Sequence, residues 1–150
     1  MAKELISAFA IMGLCLVIHV FGITMMGEQL VRRCEAIEQR IHFWYAAGIL
    51  SLVFSLVILL HLIETLIWAI FYDRAGLFKN FETSLYFSSM SYSTIGYGDV
   101  LLPEKWRLLG TVEGISAALL CGLSAAFLFA VVTALFQFRM RRWTQEHIKT

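Results

Sequence analysis

The chain has 150 residues, of which 59% are hydrophobic and only 15% are charged. A soluble domain carries about 45–50% apolar and about 25% charged residues, so this composition excludes a soluble globular or disordered protein and indicates a membrane protein. The formal net charge of +1 gives no reason to expect nucleic-acid binding, and the three cysteines do not form a disulfide framework.

Three apolar runs are long enough to cross a bilayer as helices, the spanning form that satisfies its own backbone groups. We assign residues 1–26 to a leading transmembrane helix, 43–72 to an outer helix and 106–138 to an inner helix. A cleaved signal peptide is the alternative for the first run. It is disfavoured because the apolar stretch is longer than usual and no A-x-A cleavage site follows it.

Basic residues predict the orientation of these helices, because cytoplasmic segments are enriched in lysine and arginine. They cluster in the link 27–42 and in the tail 139–150, which two crossings separate: Arg32, Arg33 and Arg40; Arg139, Arg141, Arg142 and Lys149. We therefore expect an amphipathic cytoplasmic link, a short cytoplasmic tail and an external N-terminus. The link should continue as a helix, because its apolar residues recur at three- and four-residue steps with charges between them. The basic tail is also a candidate for binding anionic lipids.

The apolar segment 81–92, FETSLYFSSMSY, is too short to span. As a helix it would be about 18 Å long, with Asn80 as N-cap and Glu82 at its positive end. The next five residues, if extended, could climb back about 17 Å. This pattern predicts a re-entrant loop. Non-helical backbone at membrane depth is stable only inside protein or along a polar path, so we expect something polar to pass the ascending strand.

The ascending strand has the composition of a cation pathway. Gly96 and Gly98 tolerate positive φ, and alternating them with L-residues lets successive carbonyls face one way. Thr94 can add its hydroxyl at the inner end. Several such strands around one axis would replace the hydration shell of a monovalent cation.

Thr94-Ile95-Gly96-Tyr97-Gly98-Asp99 reads TIGYGD and resembles the selectivity filter of potassium channels. The resemblance covers residues 43–140 and is closest to prokaryotic two-transmembrane-type pores, here with an extra leading helix. It implies an all-α membrane protein with three transmembrane helices, a re-entrant pore helix (81–92) and a filter loop (94–99). It further implies a homotetramer in a bacterial or archaeal plasma membrane that conducts K⁺ passively, without an organic cofactor.

Carried over by residue, the resemblance implies that K⁺ is held by the carbonyls of Thr94, Ile95, Gly96 and Tyr97 and by the Thr94 hydroxyl. Gly98 would let the strand leave at the outer mouth. The Tyr97 side chain would point away from the axis into a cuff of pore-helix aromatics.

Filter support is expected from residues on and around the pore helix. Tyr86 and Phe87 occupy the positions of the cuff, although Phe87 cannot hydrogen-bond. Asp99 would brace the filter from behind. The place where some relatives carry a partner carboxylate is Met90, so any bracing of Asp99 must come from elsewhere.

Glu64 and Glu113 lie inside apolar runs, where a carboxylate is costly and suggests a function. We expect both to brace the filter by hydrogen bonds to pore-helix or filter backbone. A pH-sensing role and outward snorkelling are the alternatives. His61 lies three residues before Glu64 on one helix face and is expected to hydrogen-bond it. Metal binding by this pair is the disfavoured alternative, because the sequence shows no further ligands nearby. His19 is expected to be a satisfied packing residue rather than a sensor.

The inner helix is rich in small residues, and such helices often bend at a glycine in the family. Gly122 is the favoured hinge, and Gly114 the second candidate. No nucleophile–base set or phosphate-binding loop indicates an enzyme. A transporter subunit and a non-conducting accessory subunit are the alternative functions. The gating stimulus stays open, although no arginine repeat indicates voltage sensing.

Overall fold

The computed structural model describes the backbone of residues 2–36 and 43–148. Within these ranges the chain folds into four α-helices and one short 3₁₀ helix. They are α1 (Ala2–Ala36), α2 (Phe43–Arg74), α3 (Phe81–Tyr92), the 3₁₀ helix (Glu104–Trp106) and α4 (Arg107–Ile148). The predicted all-α fold class is confirmed.

The element bounds follow the sequence expectations with one difference. The helical continuation expected for the link is present, since α1 runs on through Gly27 to Ala36, whereas α4 continues past residue 138 to Ile148. No proline interrupts either continuation, because the single proline of the chain is Pro103. Residues 37–42 of the link, and the side chains of the basic tail expected to bind lipid, lie outside the described part.

Three of the helices are long and apolar enough to cross a membrane. The candidate spans are Leu5–Arg32, Trp44–Arg74 and Glu104–Gln137. Large apolar side chains on their outer faces stay exposed in the single chain, among them Phe21, Phe54 and Leu119. Such faces suit contact with lipid or with neighbouring subunits.

The three long helices pack side by side with alternating direction. Pairs of contacts give the direction. His19 and then Gly22 of α1 meet Glu64 and then Leu60 of α2, whereas His19 and then Gly27 meet Ser124 and then Phe127 of α4. Hence α1 runs antiparallel to α2 and parallel to α4. Glycine at these positions permits a close approach of the helices.

The short helix α3 is inserted between α2 and α4, with its C-terminus at mid-height. Asn80 caps its first turn as predicted, since the Asn80 Oδ1 accepts hydrogen bonds of 2.8 Å from both the backbone nitrogen and the hydroxyl of Thr83. Phe87 anchors its outer half, meeting Tyr72 edge-to-face at a ring-centroid distance of 5.3 Å and Phe78 at 5.1 Å. This anchoring seats α3 in the larger apolar core.

Candidate functional site

The backbone after α3 has an alternating conformation. Thr94, Gly96 and Gly98 have φ of 59°, 56° and 77°, while Ile95 and Tyr97 keep negative φ. Among the described residues, Thr94 is the one non-glycine residue with positive φ. A left-handed L-residue costs about 1–2 kcal/mol, so the surrounding structure must impose it. Alternation of this kind turns successive carbonyl oxygens towards one side of the strand.

The same segment reverses the chain and climbs beside α3. The turn is closed by hydrogen bonds from the Thr94 nitrogen to the Ser91 carbonyl and from the Gly96 nitrogen to the Met90 carbonyl, both of 3.1 Å. Further up, the Tyr86 hydroxyl donates to the Asp99 carboxylate at 2.8 Å. The chain has therefore returned to the level of the middle of α3, as a re-entrant loop requires.

The hydrogen bond from the Tyr86 hydroxyl holds Asp99 in place. Asp99 is thus supported from a residue other than Met90, where some relatives carry a carboxylate. This hydrogen bond raises the pKa of the Tyr86 phenol, because ionisation would remove the donor and place a second negative charge beside Asp99.

The two expected cuff residues, Tyr86 and Phe87, have different contacts and do not enclose Tyr97. Tyr97 is 72% exposed in the single chain and Ile95 is 54% exposed. Phe87 faces the opposite way, into the core around Tyr72, and so supports α3 from behind. A cuff around Tyr97 is not formed within one chain.

Glu113 lies behind α3 with no exposed surface. Its carboxyl accepts a hydrogen bond of 2.7 Å from Tyr72 and is 2.5 Å from the Ser88 hydroxyl. Ser88 also lies 2.8 Å from the carbonyl of Thr65. Glu113 of α4 therefore links α2 and α3.

Glu64 is also fully buried and belongs to a larger network. The Tyr92 hydroxyl donates to its Oε2, and its Oε1 is 2.8 Å from Nδ1 of His19. His61 approaches Tyr92 through Nδ1 at 3.0 Å, and the Nε2 atoms of His61 and His19 each lie 3.0 Å from the Ser124 hydroxyl. These five residues, here called the buried ring, join all four α-helices at the end of α3, where the ascending strand begins.

For the two glutamates the structure differs from the sequence expectation. Glu64 and Glu113 contact side chains of α3 rather than its backbone, and snorkelling is wrong because both are fully buried. The two histidines agree with their expectations. His61 lies 3.4 Å from the Glu64 carboxylate, and His19 is fully buried with Glu64 and Ser124 as hydrogen-bond partners.

One signal in the sequence could have found the partners of the two carboxylates. Ser88 and Tyr92 are four residues apart and share one face of α3. A polar residue inside an apolar helix needs a partner of its own kind, and this reasoning extends to His19.

The two hinge candidates differ in their surroundings. A side-chain carbon built on Gly114 would lie 3.5 Å from the Ser91 carbonyl, whereas one built on Gly122 would meet no atom within 4 Å. Both lie inside α4, which is continuous from Arg107 to Ile148.

One comparison with known proteins gives a match. A family model described as "Ion channel" matches residues 56–134, more than half of the chain. The match begins within α2 and includes α3, the ascending strand and most of the spanning part of α4, while α1 lies outside it. Searches of curated proteins and of solved structures gave no significant match.

Proposed function

We propose that this chain, which belongs to the ion channel family and is a multi-pass membrane protein rather than an enzyme, conducts K⁺ selectively and passively. In this proposal a homotetramer encloses the pore on its fourfold axis. Each chain contributes one filter strand, in which Thr94, Ile95, Gly96 and Tyr97 hold the permeant ion and Gly98 opens the outer mouth. The N-terminus is external and the C-terminus cytoplasmic.

The alternating backbone of residues 94–98 is the observation that carries the proposal. Positive φ at Thr94, Gly96 and Gly98 allows successive carbonyls to point at one axis. Carbonyl oxygens placed in this way can replace the water around a dehydrated K⁺ ion. The C-terminal end of α3 lies next to the strand and adds partial negative charge.

The exposure of the strand supports assembly from several chains. All residues from Thr94 to Asp99 are exposed in the single chain. Irregular backbone cannot face lipid, because its polar groups would lose their hydrogen bonds to water. Packing four copies around the axis covers the strand and gives Tyr97 a neighbouring subunit to pack against.

The buried contacts support a filter that is held rigidly. Asp99 is braced through Tyr86, while Glu113 holds the middle of α3 and Glu64 its C-terminal end. Phe87 fixes α3 in the core. Opening would then occur below the filter, with Gly122 as the favoured hinge because its surroundings are empty, and Gly114 as the second.

The test is ion flux through the purified protein in liposomes, comparing K⁺ with Na⁺. The wild type should pass K⁺ at channel rates and exclude Na⁺. Gly96→Ala places a side chain on a residue with φ of +56° and should abolish selectivity or flux. Gly13→Ala, an open helical position in α1, is the matched control and should conduct normally.

Three outcomes would contradict the proposal. Flux that saturates at carrier-like rates would indicate a transporter subunit, and absence of flux in the folded wild type would indicate an accessory protein. Unchanged selectivity in Gly96→Ala would refute the assignment of the filter.

A further inference from the structure

Two imidazoles and one carboxylate converge in the buried ring, away from the filter carbonyls. His19 comes from α1, and His61 and Glu64 come from α2; one donor atom of each lies within 4.8 Å of the other two. His19 and Glu64 are fully buried, whereas the side chain of His61 is 19% exposed and gives the cluster an entrance. Two histidines and a carboxylate form a ligand set that zinc uses in proteins.

The distances between these donor atoms are close to those of a metal site. His19 Nδ1 is 2.8 Å from Glu64 Oε1, and His61 Nδ1 is 3.4 Å from Glu64 Oε2 and 3.0 Å from the Tyr92 oxygen. Tetrahedral zinc with bonds of about 2.0–2.1 Å keeps its ligands about 3.3–3.4 Å apart. Coordination therefore needs only small side-chain adjustments.

A count of hydrogens shows that the ring lacks one positive charge when Glu64 is ionised. The ring is closed by five contacts, and each needs one hydrogen. Ser124, Tyr92 and two neutral imidazoles bring one hydrogen each, so one contact is left without any when Glu64 is ionised. In that state the ring carries a negative charge with no partner, which is costly in an apolar interior. A bound cation balances this negative charge and replaces the contact that has no hydrogen.

The second ring nitrogens of the two histidines are placed so that Ser124 can orient both side chains. With both Nδ1 atoms bound to a metal, both Nε2 atoms carry hydrogen, and each lies 3.0 Å from the Ser124 oxygen. A hydrogen bond to the second nitrogen is the usual way in which a metal-binding histidine is oriented. Ser124 of α4 thus serves both histidines.

We propose that the buried ring binds one divalent transition-metal ion of the zinc type in each chain. His19 Nδ1, His61 Nδ1 and the Glu64 carboxylate are the ligands, and the Tyr92 oxygen takes the fourth position. In the neutral ring without metal, a fifth hydrogen balances the Glu64 charge. Metal binding releases two protons from this state: that fifth hydrogen and the hydrogen of the Tyr92 hydroxyl. The dipositive ion then balances a carboxylate and a phenolate, so the occupied ring is also neutral. Metal binding would lock α1 to the end of α3.

The experiment is a Zn²⁺ titration of the purified full-length protein against a chromophoric chelator, with Co²⁺ as a spectroscopic probe. We expect one Zn²⁺ per chain and a tetrahedral Co²⁺ absorption band. Glu64→Gln keeps an amide that can hydrogen-bond both neighbours but removes the anionic ligand, and should weaken Zn²⁺ binding by at least about 100-fold. His19→Gln should do the same, and either variant suffices if the other does not fold.

Cys121→Ser is the matched control, because Cys121 is an exposed thiol on α4 outside the proposed ligand set. It should bind Zn²⁺ like the wild type. If the protein binds no Zn²⁺ at micromolar Zn²⁺ concentration, the proposal is overturned. A proton would then be the cation that balances the ring. Equal affinity in Glu64→Gln and the wild type, or loss of binding in Cys121→Ser, would also overturn it. The assay needs no K⁺ current, so the metal site and the proposed conduction can fail separately.

Discussion

Removal of the Ser88 hydroxyl should loosen α3 from the helices behind it. In Ser88→Ala the fully buried Glu113 carboxyl loses the partner at 2.5 Å and keeps only Tyr72 at 2.7 Å. Leaving a buried polar group without a partner costs about 1–3 kcal/mol. Hydrogen bonds between membrane helices average about 0.6 kcal/mol, because the unfolded state in the membrane also finds partners. Since the carboxyl has no exposed surface, we expect the upper range, about 1.5–3 kcal/mol.

Ser89→Ala is the matched control for this change. The Ser89 hydroxyl donates to the Leu85 carbonyl within the same helix, at 2.7 Å, and links α3 to no other element. Its removal should change the free energy of unfolding by less than about 0.5 kcal/mol.

The assay is SDS-induced unfolding of the purified protein in micelles, followed by circular dichroism. Tyr72→Phe removes the other donor to Glu113, and a double-mutant cycle with Ser88→Ala should give a coupling energy of about 0.5–3 kcal/mol. Equal stability of Ser88→Ala and Ser89→Ala would refute the inference that Glu113 holds α3 through this hydroxyl.

Two further predictions concern the hydrogen bond from Tyr86 to Asp99 and the packing of α3. In Tyr86→Phe, Asp99 loses its hydrogen-bond donor. Because the pKa of Tyr86 is raised in the folded state, this bond contributes to stability fully below about pH 10, and the contribution is lost as pH rises through the folded-state pKa. The unfolding free energies of wild type and variant should therefore converge at high pH, and a difference that stays constant with pH would contradict this. Gly110→Ala would place a carbon 3.1 Å from the Phe87 ring and should destabilise the protein by about 1–3 kcal/mol. The control Gly13→Ala adds a carbon in open space and should be neutral or stabilising by up to about 1 kcal/mol. Thermal unfolding measures both, and equal effects of the two variants would contradict the packing of Gly110 against Phe87.

The short helix and the strand after it were predictable because their signals are local. Residues 81–92 were assigned as a helix capped by Asn80, and the structure has the same helix and cap. The glycines of TIGYGD predicted positive φ at Gly96 and Gly98, and the structure has both. Positive φ at Thr94 was not predicted, since nothing in a threonine demands it.

The continuation of α1 beyond its apolar run was predictable, whereas that of α4 was not. Loss of hydrophobicity at residues 26 and 138 marks where a helix leaves the apolar region, but a helix needs no apolar surroundings to continue. The three- and four-residue spacing of apolar residues in the link indicated a helix there, and α1 runs on to Ala36. No such prediction was made for the basic tail, into which α4 continues as far as Ile148.

The sequence by itself determined the spans, the short helix and the glycine-rich strand, because hydrophobicity, capping and glycine freedom act over a few residues. Only the tertiary structure decided which polar side chains meet. His19 and Ser124 are 105 residues apart in the chain, yet their side chains are 3.0 Å apart. Such a contact depends on the rotation and depth of each helix, which are set by packing against several neighbours at once. The partners of Glu64 and Glu113, and the ring that joins the leading helix to the end of α3, are consequences of that packing.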